Sequence, residues 1–224
     1  MTQRTILAGT NPTIIVKVGG SVTVKGQEGD QLLAETQGWG GLSVERRSEA
    51  EIGRARAALG ERVLFDVRLK LPGSAGSQEV IEVKMGGSGE VRVPFGANVK
   101  VYAGKDIDVQ NVRGQVDAYS GFRLNLQDVG LLGIASAGWT MNIDCESLNG
   151  KDVTFGAGSD LRFHVADLTN ALIRVKDIGG YWEVRIGSGE KTVTLKSGGD
   201  VTLVTDQKVE PLPPDYIVGK IERP

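Results

Sequence analysis

The stretch Val99-Lys-Val-Tyr-Ala-Gly-Lys-Asp-Ile-Asp-Val109 decides the fold class, because its pattern returns in Val116-Asp-Ala-Tyr-Ser-Gly-Phe-Arg-Leu-Asn-Leu126. In each copy two short segments alternate apolar with polar residues, and a glycine lies between them. Alternation with a period of two is typical of a β-strand that faces a core on one side and water on the other. Each copy therefore predicts a strand, a glycine turn and a second strand.

Six copies of this pattern follow one another, each marked by a glycine. The marker glycines are Gly104, Gly121, Gly138, Gly158, Gly179 and Gly199, spaced by 17, 17, 20, 21 and 20 residues. Two three-residue strands cannot bury a core alone, but stacked copies extend one apolar column and share backbone hydrogen bonds. We therefore predict an all-β, single-domain parallel β-solenoid (a β-helix) with glycine-marked rungs. An antiparallel β-sandwich also uses alternation and glycine turns, and it stays as the alternative.

The domain organisation follows from how regular the pattern is. We predict one β-solenoid domain over residues 1–205, with an irregular N-terminal part at 1–90 and regular rungs at 91–205. The pattern then ends, and Glu210-Pro-Leu-Pro-Pro214 follows. Because proline cannot donate to a strand ladder, residues 206–224 are predicted to form a proline-rich C-terminal arm.

One segment of the N-terminal part has a different periodicity. Ser48 and Glu51 have the spacing of a capping box, and Ile52, Ala55 and Leu59 follow at helical intervals. The sequence therefore predicts one short helix or ordered loop inserted near 49–59.

Composition and charge exclude several classes of partner. The net charge is −2 and aromatic residues make up 5% of the chain, so neither a basic field nor base-stacking surfaces indicate nucleic-acid binding. No run approaches the roughly 18 apolar residues of a membrane helix, so no membrane insertion is expected. With one cysteine and no signal-peptide pattern at the N-terminus, we expect a cytoplasmic protein. A cell-surface location would fit if a leader had been removed.

Residues with catalytic chemistry are scarce. A single histidine, His164, and a single cysteine, Cys145, cannot build a Cys/His zinc set or a supported Cys–His pair. His164 is predicted on the solvated face of a strand and Cys145 in a turn. Asp106 and Asp108 face outward together, but such acids are usual on a wet strand face that also carries lysine and arginine. We expect no enzyme, and no catalytic, cofactor-binding or metal site.

Three tryptophans lie in or beside glycine turns. They are Trp39, Trp139 and Trp182, and aromatic side chains at turn corners stack on sugars or dock proteins. They are the candidates for partner binding, although the same positions also suit residues that cover the core between rungs.

The sequence resembles a known family. The likeness is carried by Gly19-Gly-Ser-Val-Thr-Val-Lys-Gly26, by Val91-Arg-Val-Pro-Phe-Gly-Ala-Asn-Val-Lys-Val101 and by the glycine-marked rungs, over residues 14–205. These stretches resemble the putative-adhesin, DUF4097-like β-solenoid family, which is distantly similar to the bactofilins. The resemblance implies a solenoid with a surface or scaffold role. Since bactofilins polymerise end to end, it also suggests self-assembly, although the irregular N-terminal third departs from their pattern.

The resulting functional hypothesis is a non-enzymatic structural or scaffold protein that self-associates into a homo-oligomer or filament. A solenoid has two ends with unpaired strand edges, which pair with partners unless they are covered. The candidate residues for self-association lie in the two terminal segments: Ile6, Leu7, Leu212, Tyr216, Ile217 and Val218. The alternative is an adhesin-like binding module for a glycan or protein partner.

Overall fold

The computed structural model describes residues 1–9, 11–37, 40–48, 79–178, 180–212 and 220–224, and this part of the chain is all β, without a helix. The strands are β1 (Thr2–Leu7), β2 (Thr13–Val18), β3 (Val22–Gln27), β4 (Gln31–Gln37), β5 (Leu42–Ser48), β6 (Glu79–Met85), β7 (Ser88–Pro94), β8 (Asn98–Ala103), β9 (Ile107–Gln110), β10 (Gln115–Ser120), β11 (Leu124–Ala137), β12 (Met141–Leu148), β13 (Asp152–Ala157), β14 (Leu161–Val165), β15 (Ala171–Asp177), β16 (Gly180–Ile186), β17 (Lys191–Ser197), β18 (Val201–Val204), β19 (Val209–Leu212) and β20 (Lys220–Glu222). The predicted helix or ordered loop at 49–59 lies outside the described residues.

Two ladders of hydrogen-bonded strands run through the molecule. The first, ladder A, has the order β5–β6–β2–β8–β10–β11–β13–β17–β15–β16–β19. The second, ladder B, has the order β1–β4–β7–β3–β9–β11–β12–β14–β18–β20. The long strand β11 belongs to both ladders and joins them into one 20-stranded sheet.

The middle of each ladder is parallel, and its register follows the repeat. Val99 pairs with Val116 in ladder A, and Ile107 pairs with Leu124 in ladder B, so equivalent residues of successive copies are neighbours. The spacing of 17 residues seen in the sequence is therefore confirmed by strand pairing. Parallel neighbours that are one repeat apart place identical side-chain positions above one another.

The apolar positions of the alternation form the core. Successive copies bury Val99, Val116 and Leu132 on ladder A and Ile107 and Leu124 on ladder B. The next apolar residue after the second alternating segment of each copy is buried as well, and these residues are Val112, Val129, Leu148 and Leu168. Two aromatic rings, Phe155 and Phe163, contact each other inside the core at a centroid distance of 5.6 Å. One continuous hydrophobic core results.

The turn between the two strands of each copy is built on a column of glycines, which is formed by Gly19, Gly104, Gly121, Gly138, Gly158 and Gly198. Each of these amides donates to a carbonyl oxygen of the copy below, as Gly121 does to Ala103 and Gly138 to Ser120. A Cβ on Gly19 would stand 2.6 Å from the carbonyl oxygen of Gly86, and the others would stand closer still to the glycine below. Glycine is required here by close backbone approach.

The sequence pattern placed the column correctly up to Gly158. The last member, however, is Gly198 and not the predicted marker Gly199, which occupies the next position along the chain. Gly179 lies outside the described residues.

The copies do not all stack in chain order, which corrects the sequence-based expectation. Strand β17 pairs directly with β13, joining Val193 to Val153, and β18 pairs with β14 in the same way. The copy at 173–186 instead forms the antiparallel hairpin β15–β16, which lies on the far side of β17. The alternation of this hairpin is indistinguishable from that of a rung, because both bury one face on the same core.

A similar exchange of order occurs at the other end. The strands β2 and β3 lie between the pair β6–β7 and the pair β8–β9, although they precede both in the chain. The N-terminal segment therefore supplies an internal layer of the stack.

Antiparallel strands cover three of the four ends of the described ladders. At the N-terminal end β5 lies on β6, and β4 and then β1 lie on β7. At the C-terminal end β16 and β19 cover ladder A, while β20 adds to ladder B in parallel. Parts of the predicted C-terminal arm thus lie against the sheet. No helix in the described portion is long and apolar enough to span a membrane.

Candidate binding surface

The residue that follows each column glycine lies at an outer corner of the stack. In successive copies this position is held by Lys105, Phe122, Trp139, Ser159 and Gly199, and Ile178 continues the ladder by donating from its amide to the carbonyl oxygen of Gly199. Their backbones form a continuous ladder, since the amides of Phe122, Trp139 and Ser159 donate to the carbonyl oxygens of Lys105, Phe122 and Trp139, at 3.0, 2.8 and 2.8 Å. The corner side chains therefore stand above one another on a fixed backbone.

Two of these corner residues are large, aromatic and exposed. The rings of Phe122 and Trp139 are stacked, with centroids 6.1 Å apart and an angle of 17° between their planes. Phe122 is 44% exposed and Trp139 is 50% exposed. The guanidinium carbon of Arg123 lies 5.3 Å from the centroid of the Phe122 ring, within the range of a cation–π contact. We call Phe122, Arg123 and Trp139 the corner patch.

Polar residues border the corner patch at the next position of each copy. Asp106 accepts hydrogen bonds from Ser21 Oγ and from the backbone and Nε of Arg123, each at 3.2 Å. Asp160 Oδ1 accepts from the backbone amide of Asp200 at 3.1 Å. The aromatic pair therefore has a rim with the ion pair of Arg123 and Asp106 on the Phe122 side and the carboxylates of Asp160 and Asp200 on the other side.

Sequence reasoning singled out Trp139 but missed Phe122. The signal was present, since Phe122 follows marker glycine Gly121 just as Trp139 follows Gly138. Stacked copies bring equal positions together, so two aromatic residues one repeat apart had to become neighbours. The same reasoning applies to Tyr102 and Tyr119, whose rings stack at 5.1 Å with an angle of 2° between their planes.

The other two tryptophans are placed differently. Trp182 lies in β16, where it is buried and donates from Nε1 to Asp177 Oδ2 at 2.9 Å. That position gives it a packing role in the hairpin. Trp39 lies outside the described residues.

The candidate residues for self-association are also scattered. Ile6 packs partly against the core, whereas Leu7 is 60% exposed at the end of edge strand β1. Leu212 pairs with Glu183 in the β16–β19 ladder. Tyr216, Ile217 and Val218 lie outside the described residues.

The acids and the histidine that the sequence singled out are engaged with neighbours. His164 Nδ1 and Asp144 Oδ1 are 2.8 Å apart, and both side chains are partly exposed. Asp108 accepts from Gln110 and from Asn125, which continues in an amide ladder to Asn142. Within the described ranges no group of three or more His, Cys, Asp or Glu side chains is placed to hold a metal ion.

Cys145 is a strand residue rather than the turn residue that the sequence predicted. It lies in β12, pairs with Val129 and Val165, and is buried. Burial, assisted by the nearby charge of Asp144, raises the pKa of this thiol to about 12. Because a thiol with so high a pKa is protonated at neutral pH, Cys145 is not a nucleophile under these conditions.

We expect Cys145 to resist alkylation in the folded protein. At pH 8 a thiol of this pKa holds about one thiolate in ten thousand, and labelling should accelerate as the pH rises. Iodoacetamide labelling followed by intact mass should therefore show modification in urea and almost none in native buffer. Rapid labelling of the native protein at pH 8 would contradict this placement.

Comparison with known proteins shows a distant structural likeness. No family model matches the chain, and no curated protein matches it. A crystal structure from Clostridium sporogenes ATCC 15579, named as a "putative cell adhesion protein", is similar over 90% of this chain and 98% of that chain. The sequence identity is 10% and the TM-score is 0.36. The fold and the corner patch define an all-β, repeat-built protein with an exposed aromatic surface.

Proposed function

We propose that this protein is a non-enzymatic, adhesin-like binding module built on a β-solenoid, and that it contacts a partner through the corner patch. The solenoid is supported by the parallel register of ladders A and B, in which equivalent residues of successive copies pair. The binding role is supported by the exposure of Phe122 and Trp139. The partner is a glycan or a protein.

The observation that carries the proposal is a pair of large aromatic rings held in register at the surface. Exposed apolar rings cost solvation free energy, and aromatic residues on rigid backbones dominate the energy of binding sites. Here the backbone of each residue is hydrogen-bonded to the copy below and the two rings stack on each other, which reduces the conformational entropy lost when a ligand stacks on them. A rigid, solvent-facing aromatic surface is suited to recognition.

Replacing Trp139 with alanine should abolish most of the binding. Loss of a tryptophan at the centre of a contact weakens binding by about 30-fold. The measurement is a screen of the wild-type protein on glycan and protein arrays, with calorimetry on each ligand found. Phe95→Ala is the matched control, because it removes an exposed aromatic side chain at a different turn, where the Phe95 backbone is hydrogen-bonded to Gln27 and Arg113. Equal affinity of Trp139→Ala and wild type for every ligand would refute the proposal.

Self-association is the second candidate function, favoured by one observation. Strand β1 pairs with β4 along one edge, and no described strand pairs with its other edge. Unpaired edges recruit strands from other molecules. The antiparallel strands at three of the four ladder ends argue against an open filament, because they interrupt the parallel repeat that head-to-tail stacking would continue.

If β1 is a contact between copies, Leu7→Lys should shift the protein towards the monomer. The side chain of Leu7 is exposed, so a lysine there leaves the core intact while placing a charge at the edge, which disfavours strand addition. Light scattering over a range of protein concentrations measures the mass, with Ile178→Lys as the control for an added surface charge. A wild-type protein that stays monomeric at every concentration would eliminate this candidate.

A further inference from the structure

The two faces of the Trp139 indole ring have different surroundings. Phe122 lies nearly parallel to it and covers one face. The opposite face is directed towards the corner positions of the next two copies, which carry Ser159 and Gly199. Serine and glycine are both much smaller than an indole ring, so neither residue covers this face. Neighbouring strands are about 4.8 Å apart. The free face of Trp139 therefore adjoins a shelf about two strands wide.

The dimensions of this shelf suit one sugar ring. A pyranose is a flat ring that presents C–H groups on a face and hydroxyl groups around its edge. An aromatic face offers a partner for the C–H groups, whereas the hydroxyl groups require hydrogen-bonding partners in the plane of the ring.

Such partners are present beside the shelf. Asp160 and Asp200 follow Ser159 and Gly199, and both are exposed. Asp160 Oδ1 accepts from the amide of Asp200, and Ser159 Oγ lies 3.3 Å from Asp160 Oδ2. A carboxylate offers about four acceptor positions, so each retains capacity for hydroxyl donors. Hydroxyl groups that donate to carboxylates form the stronger, charge-assisted class of hydrogen bond.

The charge of the shelf selects among sugars. Two carboxylates lie on the side of the free indole face, while Arg123 is on the far side and is occupied by Phe122 and Asp106. A uronic acid, a sialic acid or a sulfated sugar would bring a further negative charge beside Asp160 and Asp200. Repulsion between these like charges would disfavour an anionic sugar at this site.

Building on the proposed function, we infer that the corner patch binds a neutral pyranoside, stacked on the free face of Trp139 and held by hydrogen bonds from its hydroxyl groups to Asp160 and Asp200. Phe122, which covers the other face of the indole ring, then holds Trp139 in position. One sugar ring occupies the shelf, and further rings of an oligosaccharide would extend away from the corner.

The test uses the full chain on an array of neutral and anionic oligosaccharides, followed by calorimetry with the neutral oligosaccharide found. The expected result is binding of neutral glycans that falls about tenfold or more in Asp160→Asn and in Asp200→Asn, since each loses a charge-assisted hydrogen bond. Trp139→Phe should retain part of the affinity that Trp139→Ala loses. Asp152→Asn is the matched control, because Asp152 is an exposed acid of β13 away from the corner.

The outcomes separate this inference from the proposed function. Binding that depends on Trp139 but is confined to anionic glycans or to proteins would overturn the neutral pyranoside and leave the binding module standing. Neutral-glycan binding that is unchanged in both aspartate variants would overturn the hydrogen-bonding role. Binding that is indifferent to Trp139 would overturn both. Melting temperatures of all variants distinguish lost contacts from lost folding.

Discussion

Replacing Gly121 with alanine is expected to lower the free energy of unfolding by about 3 kcal/mol, the upper range for inserting a methyl group where no space exists. A Cβ at this position would overlap the carbonyl oxygen of Gly104 in the copy below. The same carbonyl region carries the ladder hydrogen bond from Gly121 N to Ala103 O, at 2.9 Å. The backbone must therefore separate, and separation weakens the parallel pairing on both sides of the turn.

The matched control for this variant is Gly156→Ala. Gly156 lies in β13, has nothing within 4 Å of the position its Cβ would take, and does not adopt a positive φ. Alanine there restricts the unfolded chain and should leave stability unchanged or raise it by up to about 1 kcal/mol. Urea unfolding followed by circular dichroism measures both variants. Equal midpoints for Gly121→Ala and wild type would show that the glycine column is not closely packed.

Lys100→Met is expected to cost about 3–5 kcal/mol of stability, since it removes one partner of a buried ion pair. Lys100 Nζ and Asp117 Oδ2 are 2.9 Å apart, and their side chains are only 13% and 4% exposed. The remaining carboxylate would keep hydrogen bonds from Gln115 Nε2 and the amide of Ile134, at 3.1 and 3.2 Å. Those contacts do not neutralise its charge, and an unpaired buried charge is far more costly than a lost surface contact.

Lys17→Met provides the comparison for the Lys100 variant. Lys17 also pairs with a buried acid, Glu82, at 2.8 Å, but its own side chain is about half exposed. Glu82 would retain ion pairs with Arg47 and Lys84, at 3.2 and 3.1 Å. The cost should therefore stay near or below about 1 kcal/mol. Similar losses for both variants in urea unfolding would mean that Asp117 gains no special stabilisation from Lys100.

The register of the ladders was predictable because it depends on local periodicity. Alternation fixes which residues face inward, and a constant spacing fixes which residues become neighbours. Val99 and Val116 pair as the spacing of 17 residues required, and Gly104, Gly121 and Gly138 align in the same way. Even the stacking of Phe122 on Trp139 follows from that spacing, although Phe122 was not among the residues predicted from the sequence.

The order of the layers was not predictable in the same way. The hairpin β15–β16 has the alternation of a rung, yet it lies beyond β17 in ladder A. Both orders bury the same apolar faces and satisfy the same backbone groups, so a pattern of apolar residues does not distinguish them. The choice depends on how the connecting segments cross the stack.

The sequence by itself determined the all-β class, the parallel register, the glycine turns and the candidate Trp139, since each of these depends on residues within one or two repeats. Only the tertiary structure decided that β2 and β3 form an internal layer, that antiparallel strands cover three of the four ladder ends, and that Asp200 is hydrogen-bonded to Asp160 beside the corner positions that follow Trp139. These features join residues that are distant along the chain. Their energies come from packing between whole layers, which no local pattern encodes.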